Sequence, residues 1–215
     1  WGILGNNGEG KSTLLKMIAG IIQPDAGHLR VEGRVLGIVD VQAGLHPDWT
    51  GRDNILMVGV LNGFSIEEVN KKINAISQFS ELMEYIDEKI KLYSSGMVAR
   101  LAFSIVVHLD PSVLLIDETL AVGDIFFRHK CLSKIEELQR EKVTIIFVSH
   151  ELNLLKQVCQ KAIWIEGAQK KSQGPAGLIV DQYIANSRMA KQKDTKQHLD
   201  GRYGNQKVEI LNFEM

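Results

Sequence analysis

At 215 residues the chain is long enough for about one and a half average domains, and its 45% apolar and 24% charged residues match ordinary soluble globular proteins. Twenty-five Lys and Arg against 26 Asp and Glu leave a net charge of −1, which removes the electrostatic case for a dedicated nucleic-acid or anionic-membrane binder. No run approaches the ~20 apolar residues of a membrane-spanning helix, and the two cysteines, Cys131 and Cys159, make no disulfide framework and read as buried, reduced thiols of a cytosolic protein.

Taken in chain order, Trp1 and Gly2-Ile3-Leu4 read as the end of a strand feeding a Gly-rich turn, with Trp1 packed as a strand residue. Residues 11–22 follow with helical apolar spacing, closed by Pro24 and Gly27. Residues 29–31 and 35–41 predict short strands around Gly33. Between 49 and 92 strand signals are missing, which predicts a helical insertion; within it Ser65 and Glu68 form a capping-box pattern for a helix over 65–79. Trp49, Met57 and Phe64 suit either a partner groove or the core of that insertion. A helix over 94–109 is stopped by Asp110-Pro111. The run 113–116 predicts a strand buried on both faces. A helix over 124–140 and a β-branched strand over 143–148 complete the alternation. Residues 161–164 read as strand core and Lys170-Lys171 as a solvated turn. Strand, helix, strand in this rhythm predicts an α/β fold with a mostly parallel sheet.

From 189 to 200 the composition turns polar, predicting a solvated linker over 188–200. The apolar alternation near Val208 predicts the start of a β domain over 201–215. Both ends read as cut and no signal-peptide pattern precedes them, so the expectation is an internal piece of a longer cytoplasmic chain.

Chemistry concentrates in four places. Gly5-Asn6-Asn7-Gly8-Glu9-Gly10-Lys11-Ser12 fits GxxxxGK[ST]: glycines let backbone N–H groups converge on a phosphate, the helix N-terminus adds positive potential, Lys11 supplies a cation and Ser12 a Mg²⁺ ligand. Asp117-Glu118 ends the buried strand 113–116, where Asp117 is placed to hold Mg²⁺ and Glu118 to polarise water. Ser94, Ser95 and Gly96 open a helix and offer hydroxyls and amides to a second anion. Ser149-His150 closes the strand over 143–148.

This order of motifs resembles the ATP-binding cassette ATPases. The resemblance implies a phosphate-binding-loop NTPase with a helical subdomain over 1–187 whose N-terminal strands and adenine-stacking aromatic lie upstream of Trp1. It also implies a head-to-tail homodimer in which the Ser-Gly element of one copy completes the ATP site of the other. Carried over by residue, Gly5, Asn6, Asn7, Gly8, Glu9, Gly10, Lys11, Ser12 and Thr13 form the phosphate loop. Ser94, Ser95 and Gly96 form the signature loop, Asp117 holds Mg²⁺, Glu118 is the general base, His150 contacts the γ-phosphate, and Asp124 belongs to the loop crossing the dimer interface. The signature departs from LSGGQ as Tyr93-Ser94-Ser95-Gly96-Met97, and the metal-contacting glutamine is Gln42 or, as an alternative, Asp40.

Tyr93 to Phe103, Asp117 to Asp124 and Ala43 to Ile55 further resemble the ATPase subunits of bacterial polysaccharide exporters. That implies an ATPase bound to a polytopic membrane permease at the cytoplasmic face of the inner membrane, coupling MgATP hydrolysis to export of O-antigen, capsule or teichoic acid on a lipid carrier. Gly201 to Ile210 resembles the opening of a glycan-recognising β-sandwich. Three rival readings remain: a permease-free cassette acting on ribosomes or DNA, a transporter ATPase for another substrate, and a glycan-binding module with ATP as a conformational ligand. Charge −1 and a single cassette weigh against nucleic acid.

Overall fold

A computed structural model describes the backbone of residues 1–117 and 124–200, and their side chains except those of 39, 40 and 189–200. Six strands, β1 (Gly2–Leu4), β2 (Val35–Gly37), β3 (Val113–Asp117), β4 (Thr144–Val148), β5 (Lys161–Glu166) and β6 (Gln169–Pro175), form one sheet in the order β2-β3-β4-β1-β5-β6. All neighbours run parallel except β5 and β6. The α/β cassette with a mostly parallel sheet is therefore as expected from the alternation.

Alternate residues of each central strand face opposite sides. Leu114, Ile116, Phe147, Ala162 and Trp164 join the larger core, which is closed by α5 (Ser95–His108), α6 (Ile125–Arg140), α7 (Leu152–Val158) and α8 (Ala176–Asp200). Ile3, Val113, Leu115, Val148 and Ile165 face the other way and pack with Leu15 of α1 (Lys11–Ile18). Burial on both faces explains why β3 reads as a continuous apolar run.

The insertion is helical: α3 (Gly51–Leu61), α4 (Ile66–Ser80) and a 3-10 turn Ile90–Leu92 precede α5. Ser65 Oγ accepts from Glu68 N at 3.2 Å while Glu68 Oε2 accepts from Ser65 N at 2.7 Å, so the capping box forms. Phe79 of α4, Phe103 of α5 and Phe127 of α6 meet with ring centroids 5.8–6.3 Å apart, which fastens the insertion to the sheet-bearing part. Every residue of α5 from Leu101 to Val107 is buried; this is the hub helix, apolar all round because neighbours cover all its faces.

Four local expectations are corrected. The strand predicted over 35–41 ends at Gly37, and α2 (Ile38–Gly44) begins at once. Ile38, Val41 and Leu45, at helical spacing, all point into the core, and an apolar run this short does not separate strand from buried helix. Residues 29–31 form no strand. Lys170-Lys171 lies in edge strand β6, not in a turn, because β6 is held by its ladder to β5 with its lysines outward. Trp1 is 41% exposed; its carbonyl accepts from Phe147 N, but its ring lies against Lys161 outside the core. In addition, the backbone over 188–200, read as a linker, continues α8 as a helix. Residues 201–215 lie outside the described residues.

Burial pushes the Cys131 thiol up to about 12 and the Cys159 thiol up to about 11. A thiolate is the reactive form, so native protein at pH 8 is expected to leave both cysteines unlabelled by a disulfide reagent, with two thiols per chain reacting after denaturation.

Candidate functional site

The parallel order puts the carboxyl ends of β3, β4 and β1 side by side, and ligands of open α/β sheets bind outside such ends. From β1 the chain enters the glycine-rich loop. A Cβ on Gly5 would lie 2.6 Å from the Ile165 carbonyl, and Gly10, the N-cap of α1, has φ 89°; both positions demand glycine, one for close approach and one for a left-handed backbone. The α1 N-terminus carries neither a side-chain cap nor an acidic residue in its first turn, so its open N–H groups present positive potential to the loop.

Lys11 is 8% exposed, and its Nζ donates to the carbonyls of Gly5 and Asn6, each at 2.9 Å. An ammonium has three donors; two close the loop around it and a third remains for an anion. Ser12 Oγ donates to Asp117 Oδ2 at 3.4 Å across the end of β4. Gly37 and Ile38 border the same cleft. Gln42 lies further along α2 and is not among the residues lining it, while the side chain of Asp40 is outside the described residues. Thr13 is exposed beside Ser12. Ser149 and His150 follow Val148, whose ladder partner in β1 is Ile3, so they emerge at the same edge; Ser149 Oγ accepts from Glu151 N at 3.0 Å. Glu118, expected as the general base, lies outside the described residues.

The remaining expected residues form a second group. Ser94 is the N-cap of α5, its Oγ accepting from Met97 N at 3.2 Å; the hydroxyl proton is still available to donate. Asp124 caps α6, its Oδ1 accepting from Phe126 N at 2.8 Å and Phe127 N at 3.0 Å. The Phe127 amide, together with the Phe126 amide and Arg100, holds the Asp124 carboxyl below the usual carboxylate range. Arg100, one helical turn into α5, pairs with Asp124 and with Glu81 and lies 4.9 Å from the Phe127 ring centroid. It ties the Ser94 helix to Asp124, a link with no local sequence signal. Among the described residues no hydrogen bond or ion pair joins residues 94–96 or Asp124 to the loop 5–13. Within one copy of the chain the two groups of residues are separate.

A phosphate-type loop, a Ser-capped second helix and a helical insertion on a parallel sheet point to one family, and residues 1–121 match the family described as ABC transporter. The chain belongs to the ABC transporter family. It is 46% identical, over 85% of its length and 42% of the relative's, to the O-antigen export system ATP-binding protein RfbB of Myxococcus xanthus. It is 41% identical, over 93% of its length and 77% of the relative's, to the teichoic acids export ATP-binding protein TagH of Staphylococcus epidermidis. The chain therefore spans less than half of the Myxococcus relative. Among solved structures, a dimeric post-hydrolysis ATP-binding cassette bound to ADP and Pi superposes with a TM-score of 0.70 at 20% identity, covering 81% of this chain and 84% of that one. That likeness supports the cassette fold. Membership of the family carries nucleotide binding with it.

Proposed function

We propose that this ABC transporter chain is the ATP-hydrolysing subunit of an exporter of lipid-linked polysaccharide, acting as a homodimer with a polytopic permease at the cytoplasmic face of the cell membrane. The observation that carries ATP binding is Lys11, buried within its own loop with a donor to spare at the uncapped N-terminus of α1. The polysaccharide class rests on the two exporter relatives, of O-antigen and of teichoic acid. Among the described residues no helix is long and apolar enough to cross a membrane.

The site suits Mg²⁺ in its chemistry. Ser12 and Asp117 offer hard oxygen donors, the ligand type that Mg²⁺ takes. When bound, the ion would supply positive charge to the phosphates. Lys11 and the loop amides bind the phosphates, and Ser12 and Asp117 would hold the metal, with Gln42 or Asp40 as a further contact. Glu118 accepts the proton of an in-line water, and His150 steadies the γ-phosphate. Ser94, Ser95 and Gly96 of the second copy, flanked by its Asp124, close the site from the far side.

Between α3 and α4 an apolar groove is lined by Trp49, Leu56, Met57, Val60, Leu61 and Ile66. Trp49 and Leu61 are 45% and 77% exposed, whereas Phe64 is buried beneath Arg34. The groove is the surface we assign to a permease helix, with Trp49 and Met57 in it and Phe64 behind it. Glycan contact is assigned to residues beyond 201.

Reconstitution of the full chain with the permease encoded beside it tests the reading. Vesicles are expected to show ATP-dependent movement of a lipid-linked glycan, and Leu61→Asp is expected to uncouple the subunits while leaving nucleotide binding intact. Recovery of rRNA or DNA in place of a membrane protein, or ATP binding with no hydrolysis in the complete complex, would overturn it.

A further inference from the structure

The phosphate loop is braced from outside by a part of the fold far away in sequence. Tyr183 of α8 donates from its hydroxyl to Asn6 Oδ1 at 3.0 Å. Its ring is fixed: the next-door Ile179 and Val180 are fully buried, and Trp164 of β5 meets it edge-on with centroids 5.6 Å apart. Trp164 is itself the ladder partner of Leu4, the last residue of β1 before the loop. A second tie lies three residues along, where the backbone amide of Ala168, in the β5–β6 turn, donates to Glu9 Oε2 at 3.3 Å. Ala168 has φ 57°, a conformation that costs a non-glycine residue energy and persists only when its surroundings impose it.

We infer that Tyr183 is a positioning residue that preorganises the phosphate loop for nucleotide through Asn6. The inference rests on reading residues 5–13 as the phosphate site. Asn6 is held twice: Lys11 Nζ donates to its carbonyl from inside the loop and Tyr183 to its side chain from outside. Three of the six residues from Gly5 to Gly10 are glycine, so the free loop has much conformational freedom to lose when it closes on a triphosphate. A donor anchored on a packed helix removes part of that freedom beforehand, and preorganisation is gained in affinity. The reaction itself uses neither group, so the effect falls on nucleotide binding and leaves the hydrolytic step alone.

The test is MgATP titration and steady-state hydrolysis with the full chain as wild type, Tyr183→Phe, Asn6→Ala and the double variant. Tyr183→Phe keeps the ring against Trp164 and deletes one hydrogen bond. Each single variant is expected to bind MgATP about three- to fivefold more weakly; Tyr183→Phe is expected to raise KM by the same factor, with kcat within about twofold of wild type and an unchanged melting temperature. The double variant is expected to bind no more weakly than the weaker single one, because both remove the same bond. Wild-type affinity in Tyr183→Phe, or additive losses in the double variant, would overturn the inference while leaving the phosphate site standing. A wild-type chain that binds no nucleotide would remove the phosphate site and this inference together.

Discussion

Replacing Glu118 by Gln is expected to lower ATP turnover by about 10²–10⁴-fold while leaving MgATP affinity close to wild type, and to accumulate a nucleotide-bound dimer. Asp117, the last residue of β3, accepts from the Ser12 hydroxyl, and in the function proposed above the next carboxylate along the chain takes a proton from water attacking a phosphate held by the loop. An amide at that position keeps size and hydrogen bonding and loses basicity. Binding groups such as Lys11 are untouched. Turnover and nucleotide-dependent mass, measured on the same preparation, check both halves. A variant that hydrolyses ATP at the wild-type rate would assign the base elsewhere.

Gly96→Asp is expected to abolish hydrolysis, by at least about 100-fold, without harming the fold. Among the described residues a Cβ at Gly96 would meet only the Ser94 hydroxyl, 3.8 Å away, and its backbone is an ordinary helical one. No described neighbour therefore calls for glycine there. The first turn of α5 has no acidic residue, so an aspartate would meet the positive end of the helix and raise stability by a few tenths of a kcal/mol to about 1 kcal/mol. If a triphosphate from a second copy is pressed against residues 94–96, the same negative charge repels it. Stability and activity thus move in opposite directions. Thermal melting beside an ATPase assay reads both, and a variant that loses activity only because it melts early would speak against the composite site.

How much of this was legible in the sequence follows the range of the interaction that fixes each feature. The loop 5–13 is a local motif, and its glycines are needed for reasons written into neighbouring backbone. Ser65 and Glu68 are three residues apart, so their capping box could be read directly. The equivalent box at Thr50 and Asp53 carries the same local signal. β6 was misread because Lys170 and Lys171 look like a turn, and an edge strand with both lysines in solvent owes its conformation to the ladder with β5. α2 reads as strand because Val35 to Val41 is apolar apart from Gly37 and Asp40, and only the positions of Ile38, Val41 and Leu45 in the finished core give the helical period away. The bonds that brace the site were not legible at all. Tyr183 and Asn6 are 177 residues apart and Arg100 and Asp124 24 apart, and no spacing or propensity announces such a pair.

The most direct measurement of the two-copy site is a structure of the full-length Glu118→Gln chain with MgATP. Each triphosphate is predicted to lie between Lys11 and Ser12 of one copy and residues 94–96 of the other. A triphosphate contacted by a single copy, with Ser95 of every neighbour turned away from it, would contradict the account.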